Sequence, residues 1–403
     1  MRSRPTNAAF GSGPAFNCKT HVFAMAVHEI PDLMTVHGIS VAVFIFVNLL
    51  RSVGMLKSLL NLFQQGLFDT LLENFWITLL MFAAGVVLLI KGGDWFVDSA
   101  VNIAKRFRVP EIIIGATVVS IGTTLPEVMV SATAAVGGNG AIAYGNAIGS
   151  IICNTALIAA LTIAIRPAPV NRNAVLKPVI FFFVSAAIYV LAAYVFGTFD
   201  RWLGLVMLAV FAIYMTMTIR EGFKNPTENV EHEETSDEKE GSLIVDLLVL
   251  IGSALLIAVG AELLEGSAVT LAEDYLHIPT EVVGVTVVAL CTSLPELVTA
   301  VTALAKGHGA LSLGNIIGAN IFNLVLVSGV AVTISPFAVP EGSTLFGMNT
   351  SLVMEIPLMV GVMALMTLPA LFKKKLFRWQ GAALLAIYAT FVTVQVLIAL
   401  HVI

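Results

Sequence analysis

Charge is scarce in this chain. Aspartate, glutamate, lysine and arginine together make up 12% of its 403 residues, roughly half the share found in soluble globular domains. That deficit excludes a soluble protein of this length. The net charge of −5 comes largely from one acidic loop and gives no ground for a nucleic-acid partner. Cysteine is scarcer still: Cys18, Cys153 and Cys291 are scattered, odd in number and free of metal-ligand spacing. A disulfide framework and a thiolate metal site are thereby excluded, and the three read as small core residues. What remains is apolar, at 58% of residues and a mean hydropathy of +0.94. The composition is that of an all-α polytopic membrane protein, whose partners are the lipid bilayer and whatever crosses it.

The apolar runs predict ten core spans, each bounded by charge, proline or glycine. They fall near residues 74–104, 110–136, 140–165, 177–197, 202–220, 243–272, 279–305, 309–335, 350–371 and 379–402. Residues 221–242 contain KNPTENVEHEETSDEKEG, too polar to bury surface of their own, and read as an acidic linker. The chain therefore divides into an N-terminal extension (1–73), a five-helix region (74–220), the linker, and a second five-helix region (243–402). Within the extension, residues 1–32 are poorly patterned and read as disordered. The run GISVAVFIFVNLL in 33–53 is short for a span and lacks a signal-peptide cleavage site. It fits an extra helix, an interfacial segment, or a start assigned too far upstream, with Met55 an internal candidate.

The two regions are related. Gly115–Asn154 opens GATVVSIGTTLPE and closes GNAIGSIICN, while Gly284–Asn323 opens GVTVVALCTSLPE and closes GNIIGANIFN, at a constant offset of 169. GGDWFVDSAVNIAKRFRVP at 92–110 likewise matches GAELLEGSAVTLAEDYLHIP at 260–279. Five spans per unit is an odd number, so the second copy enters from the opposite side and the halves have inverted topology. Basic residues support this: 14 lysines and arginines lie in the loops that follow spans one, three, five, seven and nine. The positive-inside rule then puts the start of the first span outside, the linker in the cytoplasm and the C-terminus outside.

Each copy carries an acid, Glu127 or Glu296, directly after a proline inside a membrane span. A carboxylate there costs a few kcal/mol or more and marks a functional site by default. Pro126 and Pro295 free carbonyls near Ile121 and Gly122, and near Leu290 and Cys291. Thr123, Thr124, Thr292 and Ser293 add hydroxyls, with Thr123 and Thr292 one helical turn before the acids. Ser150 and Asn154 share that spacing on the next span, and Asn323 is the twin of Asn154. Oxygen-only donors with two carboxylates suit hard cations such as Ca²⁺ or Na⁺. Two buried negative charges call for about two positive ones, supplied by one Ca²⁺, two Na⁺ or two protons. A site that resists returning empty exchanges its cargo. The glycines around the motif, Gly115, Gly122, Gly145, Gly149, Gly284, Gly314 and Gly318, read mostly as close-packing positions. Asp94, Asp98, Glu262 and Glu265 read as water-facing or interhelical groups, Glu355 as reaching the interface, and His277, His308 and His401 as solvated.

These paired motifs resemble the alpha-repeats of the calcium/cation antiporter superfamily, in particular prokaryotic sodium/calcium exchangers. The resemblance spans residues 74–402 and implies two inverted five-helix halves, with ion sites between the second, third, seventh and eighth helices. It implies that Glu127 and Glu296 hold Ca²⁺ and share Na⁺, and that Thr123, Thr124, Thr292 and Ser293 supply hydroxyl or carbonyl oxygens. Ser120 and Ala289 would contribute backbone carbonyls only, and Ser150, Asn154 and Asn323 complete the set. Ala319 stands where a serine is common, and Asn323 where some members have aspartate, which argues against the potassium-dependent branch. The expected function is a secondary active antiporter of the plasma or inner membrane, acting as a monomer without a cofactor. Calcium would leave in exchange for sodium, with protons the alternative counter-ion on the same fold. A channel fits inverted repeats with central acids less well. No nucleophile–base pair or metal-binding histidine stands near the acids, so an enzyme is not expected.

Overall fold

The computed structural model describes residues 74–167, 169–224, 243–277, 289–340, 344–345, 347–400 and 402. Nearly all of them are helical. Helix α1 is Phe75–Phe107, α2 Glu111–Val136, α3 Gly140–Ile165, α4 Arg172–Phe196 and α5 Arg201–Lys224. After the linker come α6 (Leu243–Tyr275), α7 (Leu294–Ala305, preceded by a turn of helix at Ala289–Thr292), α8 (Gly309–Ile334), α9 (Ser351–Lys373) and α10 (Arg378–Ala399). Among the described residues, nine of these are long and apolar enough to cross a membrane. Only the second half of the seventh expected span is described, and the expected helix at 33–53 and most of the acidic linker lie outside the described residues.

Local sequence explains the helix ends. Asn74 caps α1, its Oδ1 accepting from Trp76 N and Ile77 N at 3.0 and 3.4 Å, and α1 stops at Arg108 in the left-handed region (φ 53°). Two short antiparallel pairs complete the structure: β1 (Thr198–Phe199) with β2 (Phe337–Ala338), and β3 (Thr344–Leu345) with β4 (Met348–Asn349). Trp76, Trp202 and Trp379 lie exposed at the starts of α1, α5 and α10, as expected of side chains at a membrane–water boundary.

Burial separates an inner layer from an outer one. The apolar stretch of α8 is 94% buried and that of α3 72%, whereas α10 is only 6% buried. An apolar helix so little buried faces lipid over much of its surface, while Gly381 seats one side of it against Ala160 and Ala164 of α3. Helices α2 and α8 meet backbone to backbone, because a Cβ at Gly314 would lie 2.2 Å from Ile112 O, and one at Gly318 2.3 Å from Ser120 Oγ. By contrast, Gly145 and Gly149 meet nothing within 4 Å among the described residues, so the close-packing expectation fails for them there. Helices α1 and α6 run together on a second glycine contact, Gly85 against Gly260, where an added Cβ would come within 3.0 Å of backbone atoms on the other helix. A Gly260→Val substitution should therefore separate these helices and lower stability by about 1–3 kcal/mol. A lowered thermal midpoint of the purified protein is the expected outcome, and an unchanged midpoint would show that the helices part without cost.

Candidate functional site

Helices α2, α3, α7 and α8 converge on the two acids. Glu127 and Glu296 are both buried, at 1% and 0% exposure, and their carboxylates act directly on one another. The two copies of the motif reach this point differently. Helix α2 runs unbroken through Pro126, whereas the second copy breaks at Ser293 (φ −95°, ψ 9°), with Leu294 and Pro295 opening α7. Proline is tolerated in a first turn, where its missing N–H costs nothing, so the break places Glu296 at a helix N-terminus.

Threonine hydroxyls from α2 point across to the second half. Thr124 Oγ1 donates to Glu296 Oε1 at 3.4 Å, and Thr123 Oγ1 to Asn315 Oδ1 at 3.4 Å. Ser120 Oγ lies 2.8 Å from Gly115 O and 3.0 Å from Asn315 O, so that hydroxyl is taken up by backbone. Thr292 is half-buried in the turn before Ser293. Ala289 opens the described part of that turn.

The remaining oxygens are buried, and among the described residues Glu127 Oε1 and Oε2, Glu296 Oε2, Ser150 Oγ, Asn154 Oδ1, Ser293 Oγ and Asn323 Oδ1 have no hydrogen-bond partner. Buried polar atoms are almost always paired, so seven oxygens left bare on the repeated motif describe a receptor for something. Among the described residues no lysine, arginine or histidine pairs with either acid; the ion pairs lie elsewhere. Nor does any cluster of three or more His, Cys, Asp or Glu side chains form among them. The arrangement can hold a hard cation through carboxylate, hydroxyl and amide oxygens.

Two features were not anticipated. Asn146 and Asn315, again 169 apart, brace the acids from behind. Asn146 Nδ2 donates to Glu127 O at 3.1 Å and to Ser131 Oγ at 2.8 Å. Asn315 Nδ2 donates to Thr299 Oγ1 at 3.0 Å, and that hydroxyl lies 2.8 Å from Pro295 O and 3.1 Å from Glu296 O. Both asparagines stand in the GN pair that opens each closing motif, which was the available signal. The second feature is backbone: α3 and α8 change to π-helical geometry over Asn154–Ala159 and Asn323–Val327, so both segments begin at the repeated asparagine. Such segments recur at functional sites.

Outside the centre, Lys306 Nζ ties α7 to α1, at 2.8 Å from Asp98 Oδ1 and 3.5 Å from Asp94 Oδ1, which is the interhelical role expected of those acids. His308 departs from expectation: its Nδ1 lies 2.8 Å from Glu111 Oε1, joining the starts of α8 and α2. Glu355 receives a hydrogen bond from Gln395 Nε2 at 3.1 Å and is turned toward α10. Cys153 and Cys291 are buried, as expected of small core residues; Cys18, Gly284 and His401 lie outside the described residues.

Comparison with known proteins bears on the same stretch. The family profile for the sodium/calcium exchanger protein matches residues 77–220 and 245–397. Membrane protein MJ0091 of Methanocaldococcus jannaschii is 36% identical over 315 residues, which are 76% of this chain and 94% of the relative. Sodium/calcium exchanger MaX1 of Methanosarcina acetivorans is 32% identical, over 80% of this chain and 98% of its own. A solved structure of the sodium-calcium exchanger NCX_Mj soaked with Na⁺ and Sr²⁺ superposes with a TM-score of 0.66 at 32% identity, covering 79% of this chain and 99% of the other. The matched residues cover nearly all of both five-helix halves, and the chain belongs to the sodium/calcium exchanger protein family.

Proposed function

We propose that this chain is a secondary active antiporter that moves Ca²⁺ out of the cell in exchange for Na⁺ entering it. The observation that carries the reading is the set of seven buried oxygens, on and around the two acids, that have neither a hydrogen-bond partner nor a base beside them among the described residues. Stripping water from a carboxylate costs several kcal/mol, which an opposite charge at close range offsets. One Ca²⁺ balances the pair, and so do two Na⁺. Ca²⁺ takes six to eight oxygens, and Glu127, Glu296, Ser150, Asn154, Ser293 and Asn323 supply side chains of the right type. Thr123, Thr124 and Thr292 add hydroxyl or carbonyl oxygens, and Ser120 and Ala289 add carbonyls. The printed names of MaX1 and NCX_Mj pair the same two ions.

The loaded and the sodium-loaded sites are both near neutral, while the empty site carries two uncompensated charges. Only the filled forms can be carried across at low cost, which couples the two fluxes. The distribution of lysine and arginine among the loops supports an orientation with the start of α1 outside, the linker cytoplasmic and the C-terminus outside, in a plasma or inner membrane. All the site residues come from one chain, which supports a functional monomer.

Reconstituted vesicles test the reading. A sodium gradient at constant pH should drive calcium uptake; uptake driven by a pH gradient alone would instead assign protons as the counter-ion. Glu296→Gln should reduce calcium binding at least ~10-fold, and Asn315→Ala, which removes only a brace, by ~10-fold or more, the range seen when groups that orient metal ligands are lost. Calcium binding unaltered in Glu296→Gln would remove that acid from the site. The second half lacks the hydroxyl that Ser150 supplies in the first, Ala319 being its buried twin. Ala319→Ser should therefore lower the sodium concentration for half-maximal exchange, read from sodium activation curves, with little change in the calcium requirement.

A further inference from the structure

A polar contact between the two halves lies beside the repeated asparagines, and the duplication does not repeat it. Asn320 on α8 follows Ala319, and Thr155 on α3 follows Asn154. Both side chains are fully buried, and Asn320 Nδ2 donates to Thr155 Oγ1 at 2.7 Å. Met363 of α9 closes the group, its Sδ lying 3.6 Å from Asn320 Nδ2 and 4.0 Å from Thr155 Oγ1. At the offset of 169 the corresponding residues are Ile151 and Leu324, which are equally buried and offer no side-chain hydrogen bond. Asn320 Oδ1 has no partner among the described residues.

Stability alone does not account for this contact. Buried polar atoms are almost always paired, and here one amide oxygen is left bare in the core. Replacing both partners of a buried hydrogen bond by apolar groups of similar shape is nearly neutral or stabilising, and the Ile151 and Leu324 positions carry apolar groups. What the bond provides is position. Asn154 begins the π-helical segment Asn154–Ala159, and Thr155 is its second residue. The turn that carries Asn154 therefore departs from regular α-helical geometry, and the bond from Asn320 fixes it at the very next residue. With Thr155 held from α8 and flanked by α9, the α3 segment cannot turn about its own axis without breaking a hydrogen bond inside the core. Leu324 gives Asn323 no equivalent hold.

We propose that Asn320 is a positioning residue for the cation centre: through Thr155 it fixes the rotation of the α3 segment that presents Asn154 to the ion. This rests on the proposed role of Asn154 as a ligand. Asn320 does not itself touch the ion; its effect runs through the Thr155 hydroxyl.

Equilibrium Ca²⁺ binding, measured on the full-length purified protein beside its thermal midpoint without Ca²⁺, tests the proposal. In the Thr155→Val/Asn320→Leu variant the midpoint should stay the same or rise, because neither partner is left unpaired. Its Ca²⁺ dissociation constant should nonetheless rise at least ~10-fold, as when groups that orient metal ligands are lost. The two readouts then move apart, which a merely structural contact would not produce. Thr155→Ser keeps the hydroxyl and should keep the affinity of the original chain. Ca²⁺ affinity unchanged in the double variant, or falling equally in Thr155→Ser, overturns the proposal. Should the double variant not fold, Thr155→Val alone should weaken Ca²⁺ binding by ~10-fold; unchanged affinity overturns it equally. Failure of the ligand role of Asn154 is distinguishable, because Asn154→Ala would then bind Ca²⁺ like the original chain, and Asn320 would have no ligand to position.

Discussion

Two carboxylates facing one another in the interior of an apolar bundle, with no base beside them among the described residues, set the terms for the rest of the molecule. Each costs several kcal/mol to desolvate, and their mutual repulsion adds to that cost. Such a pair survives only where helices are held rigidly enough that the acids cannot turn away to water. The inner position of α3 and α8, the glycine contact between α2 and α8, and the asparagine braces on both acids all serve that end. The same cost makes the empty site the least favourable state, and this is the physical root of coupled exchange. A protein able to neutralise the pair with its own lysine would be more stable and would carry nothing.

Duplication explains how two acids came to share one place, but the halves have diverged where it matters. Helix α2 passes through its proline, while the second copy breaks before its own, so Glu296 stands at a helix N-terminus and Glu127 inside a helix. The partial positive charge of a helix N-terminus favours an anion. Thr124 adds a hydrogen bond to Glu296, whereas neither oxygen of Glu127 has one among the described residues.

Much of this was legible in the sequence, for identifiable reasons. Span edges are marked by proline, glycine and charge, so α3 was bounded at 140–165 as observed and α2 within one residue. The acid pair stood out because a carboxylate among apolar residues is conspicuous and its repetition at 169 is not accidental. The π-helical segments were hidden, since one additional residue per turn leaves no trace in an apolar run where every face is buried. The braces made by Asn146 and Asn315 were hidden differently. Their partners lie on other helices, and spacing within a helix carries no information about what faces it across a gap. His308 was read as solvated because it stands at a span end, yet Glu111 occupies the neighbouring helix start.

The π-helical segments also bear on which half gives more to the ion. Where the geometry widens, a carbonyl is drawn away from its usual partner and accepts from the residue five positions on. In α2, which is π-helical over Gly115–Val119, the carbonyl of Gly115 receives the Ser120 hydroxyl at 2.8 Å, and in α8 that of Asn323 receives the Ser328 hydroxyl at 3.1 Å. The α3 segment has no such residue, because Ala159 stands five after Asn154. The Asn323 carbonyl thus accepts a local hydroxyl in addition to its backbone bond, whereas no hydroxyl joins the Asn154 carbonyl. Ala319 repeats the pattern on the same helix, lacking the hydroxyl that Ser150 offers on α3. Within the repeated motif, α3 presents the unpartnered Ser150 hydroxyl and Asn154 amide oxygen, whereas α8 presents the Asn323 amide oxygen. A cation drawn toward the larger number of available oxygens would lie nearer α3 than α8, off the axis that relates the two halves.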